Sequence, residues 1–403
     1  MNDYQVVIHG GGMVGTTLAC ALADSGLRVL LLESRLPPAP DEQVDLRVSA
    51  LSLASRRILQ RLGAWRTISE QRASPYREMR VWDAGSRGQI HFSSAMVGEP
   101  WLGWIVENRL IQHALLERLR QHATLGLRCP ASLDTLATRA DRLELGLSDG
   151  TRVSTRLLVG ADGARSRVRE LAGIDTTGWS YRQRALVTHV QTELPHRQTA
   201  WQRFLASGPL AFLPLNDGRC SIVWSTTATH AQALLAMDDE ALGEALGDAF
   251  ERRLGEVRVA GPRGAFPLAL QHARRYIAPR VALIGDAAHV IHPLAGQGVN
   301  LGLLDAATLA GVLAEAARQN RDPGSPLVLR RYERWRKGHN LTVMATMDGF
   351  QRLFGQSLAP VRGLRGLGLQ LTDRLLPLKQ LIIRQAMGLD GDLPPLAREP
   401  VQP

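Results

Sequence analysis

Apolar residues recur along this chain in two rhythms. The continuous run "YQVVIHG" is followed by helix-spaced positions from Thr16 to Ser25, stopped by Gly26, and then by the continuous run "LRVLLLE". That order predicts strand, helix and strand, the opening of a parallel sheet buried on both faces. Two later runs, "TRLLVGADG" and "RVALIGD", have the same buried-strand character, and both close on Gly and Asp. Between them the rhythm changes to short alternating stretches separated by turn residues: "MRVWDAGSRGQIHF", "RALVTHVQTEL", "TAWQRFLA", "GPLAFLPL" and "GRCSIVWSTT". Alternation of this kind predicts an antiparallel sheet threaded through the first domain. From about Ala306 the pattern is helical. The Pro-rich "RLPPAPDEQ" and "DGDLPPLAREPVQP" read as a surface loop and a frayed tail.

Composition narrows the class. The 403 residues, 45% of them apolar, suffice for two domains or one large interrupted domain. No run of eighteen apolar residues occurs, and no basic stretch precedes a short apolar core at the amino terminus, so a cytoplasmic protein is expected. Cys20, Cys129 and Cys220 stand far apart in no paired spacing, which suits packing residues rather than a disulfide framework or a cysteine metal site. The formal charge is +10, with Lys337 and Lys379 the only lysines. From Arg330 to Pro403 there are twelve basic and six acidic residues, so much of the excess is at the carboxyl end. No aromatic residues interleave with that charge as in a stacking surface. An acidic membrane surface explains the charge as well as nucleic acid would, and no nucleic-acid partner is expected.

The chemistry begins at Gly10, Gly12 and Gly15. They form G-x-G-x-x-G directly after a strand and at the start of a helix, and Glu33 closes the next strand at the distance expected of a ribose-binding acid. The first glycine permits the tight turn, the second lets a pyrophosphate approach the backbone, and the helix amino terminus supplies amides and partial positive charge. "HGGG" also imitates an esterase oxyanion loop, but no G-x-S-x-G elbow occurs and hydrolysis is set aside.

Two more segments separate FAD from NAD as the resident dinucleotide. D-G-x-x-S-x-x-R at Asp162, Gly163, Ser166 and Arg169, and G-D at Gly285 and Asp286, follow the glycine loop in order. With these three motifs the chain resembles the FAD-dependent aromatic hydroxylases of the para-hydroxybenzoate hydroxylase type. Within them it looks most similar to the ubiquinone-biosynthesis hydroxylases, through "DLRVSALSLASRRILQRLGAW", "VENRLIQHALLERL", "AFLPL", "AFPL" and "GDAAHVIHPLAGQGVNLG". The resemblance implies an α/β fold with a Rossmann-like FAD-binding domain made of residues 1–75, 105–180 and 275–340. An inserted antiparallel-sheet substrate domain would take 76–104 and 181–274, and a helical carboxyl-terminal region 341–403. It also implies that Asp162 and Arg169 bridge the FAD pyrophosphate and the reducing nicotinamide cofactor, that Asp286 accepts ribityl hydroxyls, and that Arg47 and Asn108 lie near the flavin.

The stretch "LIGDAAHVIHPLAGQGVNLGLLDA", 283–306, admits three readings. Metal ligation by Asp286, His289 and His292 fails because positions i and i+6 diverge around a helix and Pro293 ends any such helix. A second phosphate loop at Gly296, Gly298 and Gly302 fails because no strand precedes it. A flavin seat uses every feature: small Gly285, Ala287 and Ala288 leave room for a flat ring, and a helix opening at Gly296, Gln297, Gly298, Val299 and Asn300 aims amides at the anionic edge of reduced flavin. The resemblance puts Pro293 and Gly298 at the reaction face and requires no acid–base residue.

The implied activity is reduction of FAD by NADH or NADPH, addition of dioxygen at flavin C4a, and transfer of a hydroxyl to the ring of a polyprenylated phenol or benzoquinol. Phe212, Leu213, Pro214 and Trp224 are the candidate wall of the substrate pocket. Leu364, Leu367, Leu371 and Leu375, then Leu378, Ile382 and Met387, recur at helical spacing beside Arg365, Arg374, Lys379 and Arg384. That basic amphipathic end suits peripheral attachment to the inner face of a membrane, a quinone-biosynthesis complex, or a homo-oligomer contact. Two other readings stay open: a same-fold hydroxylase of a small soluble phenol, and a FAD-bound accessory subunit without turnover.

Overall fold

The computed structural model describes residues 2–291, 297–355 and 359–399. Its first layer is a parallel sheet in which Val281–Leu283, Arg152–Gly160, Asn2–His9, Val29–Leu32 and Leu125–Arg128 lie side by side. Val6, Val7, Ile8 and the whole of Val29–Leu32 are buried. Burial on both faces is why these strands read as unbroken apolar runs rather than alternating ones. Leu143–Leu147 and Leu133–Thr138 extend the sheet antiparallel from one side of Arg152–Gly160.

Two helices cover one another above this sheet, the first helix, Met13–Ala21, and the long core helix, Gln297–Arg318. The first helix starts three residues earlier than the apolar spacing predicts and ends at Ala21, with only turns from Leu22 to Gly26. Its start is set by Gly12, in extended backbone at the N-cap, rather than by the first apolar position. The core helix is long and apolar enough to cross a membrane by composition, yet most of it is buried inside the fold.

The second layer is a nine-stranded sheet whose centre is the 17-residue strand Thr176–Thr192. Gly264–Ala273 and Cys220–Thr227 flank it antiparallel, followed by Gly208–Pro214 and Thr199–Leu205. The hairpin Glu78–Asp83 and Gln89–Ser93 completes the layer, and here the expectation of a purely antiparallel sheet needs correcting: Glu78–Asp83 joins Thr199–Leu205 in parallel. It enters from a distant part of the chain, so no hairpin turn dictates its direction. One face of this sheet packs on the helices Ala228–Ala236 and Asp239–Ala249, where Phe212 stacks on Phe250 with ring centroids 3.8 Å apart. A three-stranded sheet, Val48–Leu51, Gly103–Glu107 and Ser74–Tyr76, lies between the layers.

The last α-helices are Pro326–Gly355, Ala359–Arg374 and Leu376–Met387, and beyond them the expectation of a frayed tail is corrected up to Glu399: Pro395–Ala397 forms a 3-10 turn with Ala397 buried in the core. Cys20 and Cys220 are buried thiols, which matches their reading as packing residues, and burial pushes both up to about 12.

Candidate functional site

Three loops meet where the central parallel strands end. Asn2–His9 runs into Gly10, Arg152–Gly160 into Asp162, and Val281–Leu283 into Gly285, and the neighbouring strand ends are tied by Ala161 N to His9 O at 2.8 Å and Ile284 N to Gly160 O at 3.0 Å. Carboxyl ends of adjacent parallel strands are where an open α/β sheet forms its binding crevice.

The glycine loop has a separate reason for each glycine. Gly10 has φ +110, and a Cβ there would sit 2.4 Å from Ala161 O; at Gly15 a Cβ would sit 1.9 Å from Gly10 O. These two let the loop, the neighbouring strand and the helix close together. Among the described residues, a Cβ on Gly12 would meet nothing within 4 Å, and no side chain caps the helix that Gly12 opens. Open space beside uncapped helix amides suits a phosphate. Glu33 turns back to its own loop: Oε2 accepts Gly11 N–H at 2.6 Å and Oε1 accepts Arg35 N–H at 2.8 Å. Gln112 Nε2 and Thr16 Oγ1 hold the Gly11 carbonyl at 2.6 and 3.0 Å.

Asp162 is 9% exposed at its side chain, and the loop's own donors occupy its carboxylate. Oδ1 accepts Ser166 Oγ at 2.5 Å, while Oδ2 accepts Arg167 N at 2.7 Å, Val168 N at 3.1 Å and His9 Nδ1 at 3.1 Å. These donors make Asp162 an organiser of the loop, and Oδ1, whose one donor among the described residues is Ser166, is the oxygen with capacity for a further partner. Burial raises its carboxyl, but the bonds from His9 and Ser166 outweigh burial and leave it below the ordinary range. Arg169 carries the loop outward: Nη1 reaches Ala287 O at 2.9 Å and Nη2 reaches Ala164 O at 2.8 Å. It staples the D-G loop to the G-D turn.

Asp286 differs from Asp162. It is exposed while Gly285 and Ala287 beside it are buried. Protein nevertheless crowds its carboxyl, and that desolvation pushes it above the ordinary range against the pull of His289 and Arg47. The residue is thus accessible at the surface while its carboxyl is desolvated by neighbouring protein. Arg47 faces it from the strand side, with its guanidinium 5.3 Å from the Phe266 ring centroid. Asn108 supports this rim, with Oδ1 accepting Ser49 Oγ at 2.6 Å and its N–H donating to Arg47 O at 3.0 Å.

A family described as a FAD binding domain matches residues 3–346. The chain is 43% identical to the ubiquinone hydroxylase UbiL of Rhodospirillum rubrum, over 95% of this chain and 89% of that protein. It is 40% identical to the 3-demethoxyubiquinol 3-hydroxylase of Escherichia coli, over 96% of this chain and 98% of that one. With the mitochondrial ubiquinone biosynthesis monooxygenase COQ6 of Homo sapiens it shares 39%, over 94% and 92%. The chain belongs to this family of FAD-binding ubiquinone hydroxylases. The solved p-nitrophenol 4-monooxygenase of Pseudomonas putida shares the hydroxylase fold, with TM-score 0.78 and 20% identity over 97% of this chain and 99% of that one. PqsL of Pseudomonas aeruginosa, a probable FAD-dependent monooxygenase, superposes with TM-score 0.76 at 25% identity over 92% and 100%.

The residues present fit the FAD of this hydroxylase family, since the open cradle at Gly12 and the accessible carboxyl of Asp286 supply a phosphate subsite and an acceptor for sugar hydroxyls. Not every expected flavin residue faces the crevice. Asn300 is buried, with Oδ1 accepting Ser52 N and Ser55 Oγ at 3.0 and 2.7 Å and Nδ2 donating to Ala50 O at 2.8 Å. It clamps the start of the core helix instead. Gln297, Gly298 and Val299 form that helix's first turn, and among the described residues a Cβ on Gly298 would touch only Ile291, at 3.9 Å. His292, Pro293 and Gly296 lie outside the described residues. Gly302 serves packing: a Cβ there would meet Val14 Cγ2 at 2.6 Å.

The expected substrate wall is corrected. Phe212 and Trp224 are turned into the core against the two covering helices, and Pro214 shares the Phe212 side by alternation. Leu213 alone of the four is on the opposite face, where it packs toward Val44, Val48 and Ile105. Register puts Val223 one strand over, Val187 two and Phe266 three on this same inner face. Residues that the sequence reading passed over are Gln112, His9 as a partner of Asp162, and Asp305. The signal for the last was a single acid inside the apolar pattern "GVNLGLLDAATLAGVL".

Proposed function

We propose that this chain hydroxylates the aromatic ring of a polyprenylated phenol or benzoquinol in ubiquinone biosynthesis, with FAD bound along the three converging loops. The observation that carries this reading is the convergence of the G-x-G-x-x-G, D-G and G-D loops on one crevice, in a chain matched almost end to end by ubiquinone hydroxylases. Gly12 and the first helix receive the pyrophosphate, Glu33 stands at the ribose end, and Asp286 and Arg47 hold the flavin side. Bound FAD supplies the redox and oxygen chemistry, with NADH or NADPH as a visiting reductant and dioxygen as co-substrate.

The protein's own part is placement and exclusion of water. The substrate ring lies against the inner face carrying Val187, Leu213, Val223 and Phe266, and Arg47 over Phe266 closes one side. These four side chains are apolar, as a prenylated ring requires, and the same register puts Ser221 and His189 on this face beside them. Incubation of FAD-loaded protein with NAD(P)H, a polyprenylphenol and labelled dioxygen is expected to give labelled, ring-hydroxylated product. Lack of that product, together with NAD(P)H oxidation stimulated only by simple water-soluble phenols, would overturn the prenylated-substrate reading.

The helices Ala359–Arg374 and Leu376–Met387 support delivery from a membrane surface. Of the thirteen exposed large apolar side chains described, seven are here: Leu367, Leu371, Leu375, Leu376, Leu378, Leu381 and Ile382. Two expectations for this region change. Met387 is buried in the core, and Lys379 is 5% exposed with Nζ 2.9 Å from Asp373 Oδ1. Arg384 pairs with Asp390 at 2.7 Å. With these cations paired internally, apolar contact rather than charge is the main attraction to a bilayer.

A further inference from the structure

The core helix carries a charge at a position fully enclosed by protein. Asp305 is 0% exposed, and four donors converge on it. Gly285 N–H and His289 Nε2 meet Oδ2 at 3.1 and 2.5 Å, and Arg336 Nε and Asn340 Nδ2 meet Oδ1 at 2.7 and 3.0 Å. Arg336 is itself 2% exposed and gives a second bond to Asn340 Oδ1 at 2.8 Å. From the same helix as Arg336, Tyr332 donates to Leu283 O at 2.8 Å. A cluster of ions away from water thus joins Pro326–Gly355 and the core helix to the strand end and turn that carry Asp286.

Such a cluster is a poor source of stability, because desolvating the ions offsets most of their attraction. Its effect is geometric. Gly285, at φ +58, opens the turn, and His289 closes it three residues beyond Asp286. Asp305 holds both ends at once, while Val14 of the first helix lies 3.2 Å from where a Gly285 Cβ would be. Asp286, between the two anchored ends, has its own orientation fixed by them.

We infer that Asp305 and His289 are positioning residues for Asp286, holding its carboxylate toward the flavin. This rests on the reading of Asp286 as flavin-facing. The charged groups around that carboxyl are His289 on its own turn and Arg47 from across the crevice, with Arg169 bonded to the next carbonyl, Ala287 O. Crowding raises the Asp286 carboxyl, and His289 is the larger of the two groups that draw it back. Loss of the imidazole lets it rise. Because the ionised form accepts the sugar hydroxyls, the acid limb of FAD affinity then moves to higher pH.

The test is a titration of apoprotein with FAD, followed by flavin fluorescence between pH 5 and 9, for the wild type, Asp286→Ala, His289→Phe and the double variant. His289→Phe leaves Asp305 its bonds from Gly285, Arg336 and Asn340, and an apoprotein melt beside each titration shows whether the variant is folded. It is expected to raise the FAD Kd about tenfold at neutral pH, to shift the acid limb upward, and to add less than about twofold in the Asp286→Ala background. His289→Gln, which keeps a donor for Asp305 but removes the imidazole beside Asp286, is expected to shift the limb the same way and serves if the Phe variant does not fold. Equal factors in both backgrounds would overturn the proposal, as would an unmoved acid limb. If Asp286→Ala binds FAD as tightly as the wild type, the flavin-facing reading of Asp286 falls and this inference with it. If Asp286→Ala weakens binding and the His289 variants do not, the inference alone falls.

Discussion

His9 and Asp162, 153 positions apart in the chain, meet at 3.1 Å, and the other nitrogen of the same imidazole accepts the Leu133 N–H at 3.1 Å. With Nε2 an acceptor, the hydrogen-bond pattern assigns the ring proton of neutral His9 to Nδ1, where it donates to the carboxylate. The first strand, the D-G loop and the Leu133–Thr138 strand are thereby joined through one side chain. His9→Phe keeps the ring volume but leaves a buried N–H and a carboxylate oxygen each short of a partner. A loss of about 1–3 kcal/mol in urea unfolding is expected, with weaker FAD binding because the loop is freed. An unchanged unfolding midpoint would show that the pair does not secure the loop.

Asp162 and Asp305 also set the acid limit of the fold. Both carboxyls are buried, which raises them, yet hydrogen bonds and neighbouring charge hold both below the ordinary value of 3.8. A group depressed in the folded state gives its stabilisation above the unfolded value and loses it as pH falls through the folded one. Stability is therefore expected to drop steeply below about pH 4. Asp162→Asn, less stable at neutral pH, should show a shallower acid decline. Urea midpoints at pH 7, 4 and 3 measure both effects.

His272 gives a second and milder pH dependence. It is buried with Nε2 unpartnered, and burial, then the charges of His289 and Lys337, push it down from 6.5 to about 4. The unfolded chain takes up this proton first, so stability falls as pH decreases from about 6.5 toward 4. His272→Phe removes that decline, on the order of 2 kcal/mol. Thermal melts of both proteins at pH 7.5 and 5 should converge for the wild type's disadvantage at the lower pH; parallel curves would refute it.

The glycine loop separates binding from folding. Gly12→Ala adds a methyl into open space at φ -68, so the apoprotein should lose no more than about 1 kcal/mol. The methyl stands where a pyrophosphate must approach, so FAD affinity should fall at least about tenfold. Gly15→Ala places its methyl 1.9 Å from Gly10 O, and apoprotein stability itself should fall. Melting curves of the two apoproteins beside their FAD titrations decide the matter, and equal loss of stability in both would contradict the division.

Replacement of Leu371, Leu375 and Leu381 by serine alters residues that are 50%, 47% and 53% exposed, so folding should be unaffected. Cosedimentation with vesicles of mixed neutral and anionic phospholipid should fall severalfold, and raised salt should matter less than the lost leucines. Retained vesicle binding by the triple variant would remove these helices as the docking surface.

Strand, turn and helix signals are local, so the α/β layout and the placement of the three motif loops at strand ends were legible in "VVIHGGGMVG", "LLVGADG" and "ALIGDAAH". The same holds for Gly10 and Gly15, whose necessity follows from the turn they make. Other decisions belonged to the tertiary structure. Alternation separates Phe212 from Leu213, but both faces of Gly208–Pro214 are covered by protein, so only the packing of helices on one side showed which residue meets the inner layer. Only the closed fold brings His9 from another strand to share Asp162 with Ser166. Lys379 looked like a membrane-facing charge until Asp373 paired with it. Asp305 was visible as one acid in an apolar helix, but its partners Gly285, His289, Arg336 and Asn340 come from three other elements. A sequence specifies which groups need partners through their polarity and period; which partner each one finds depends on which surfaces the closed fold brings together.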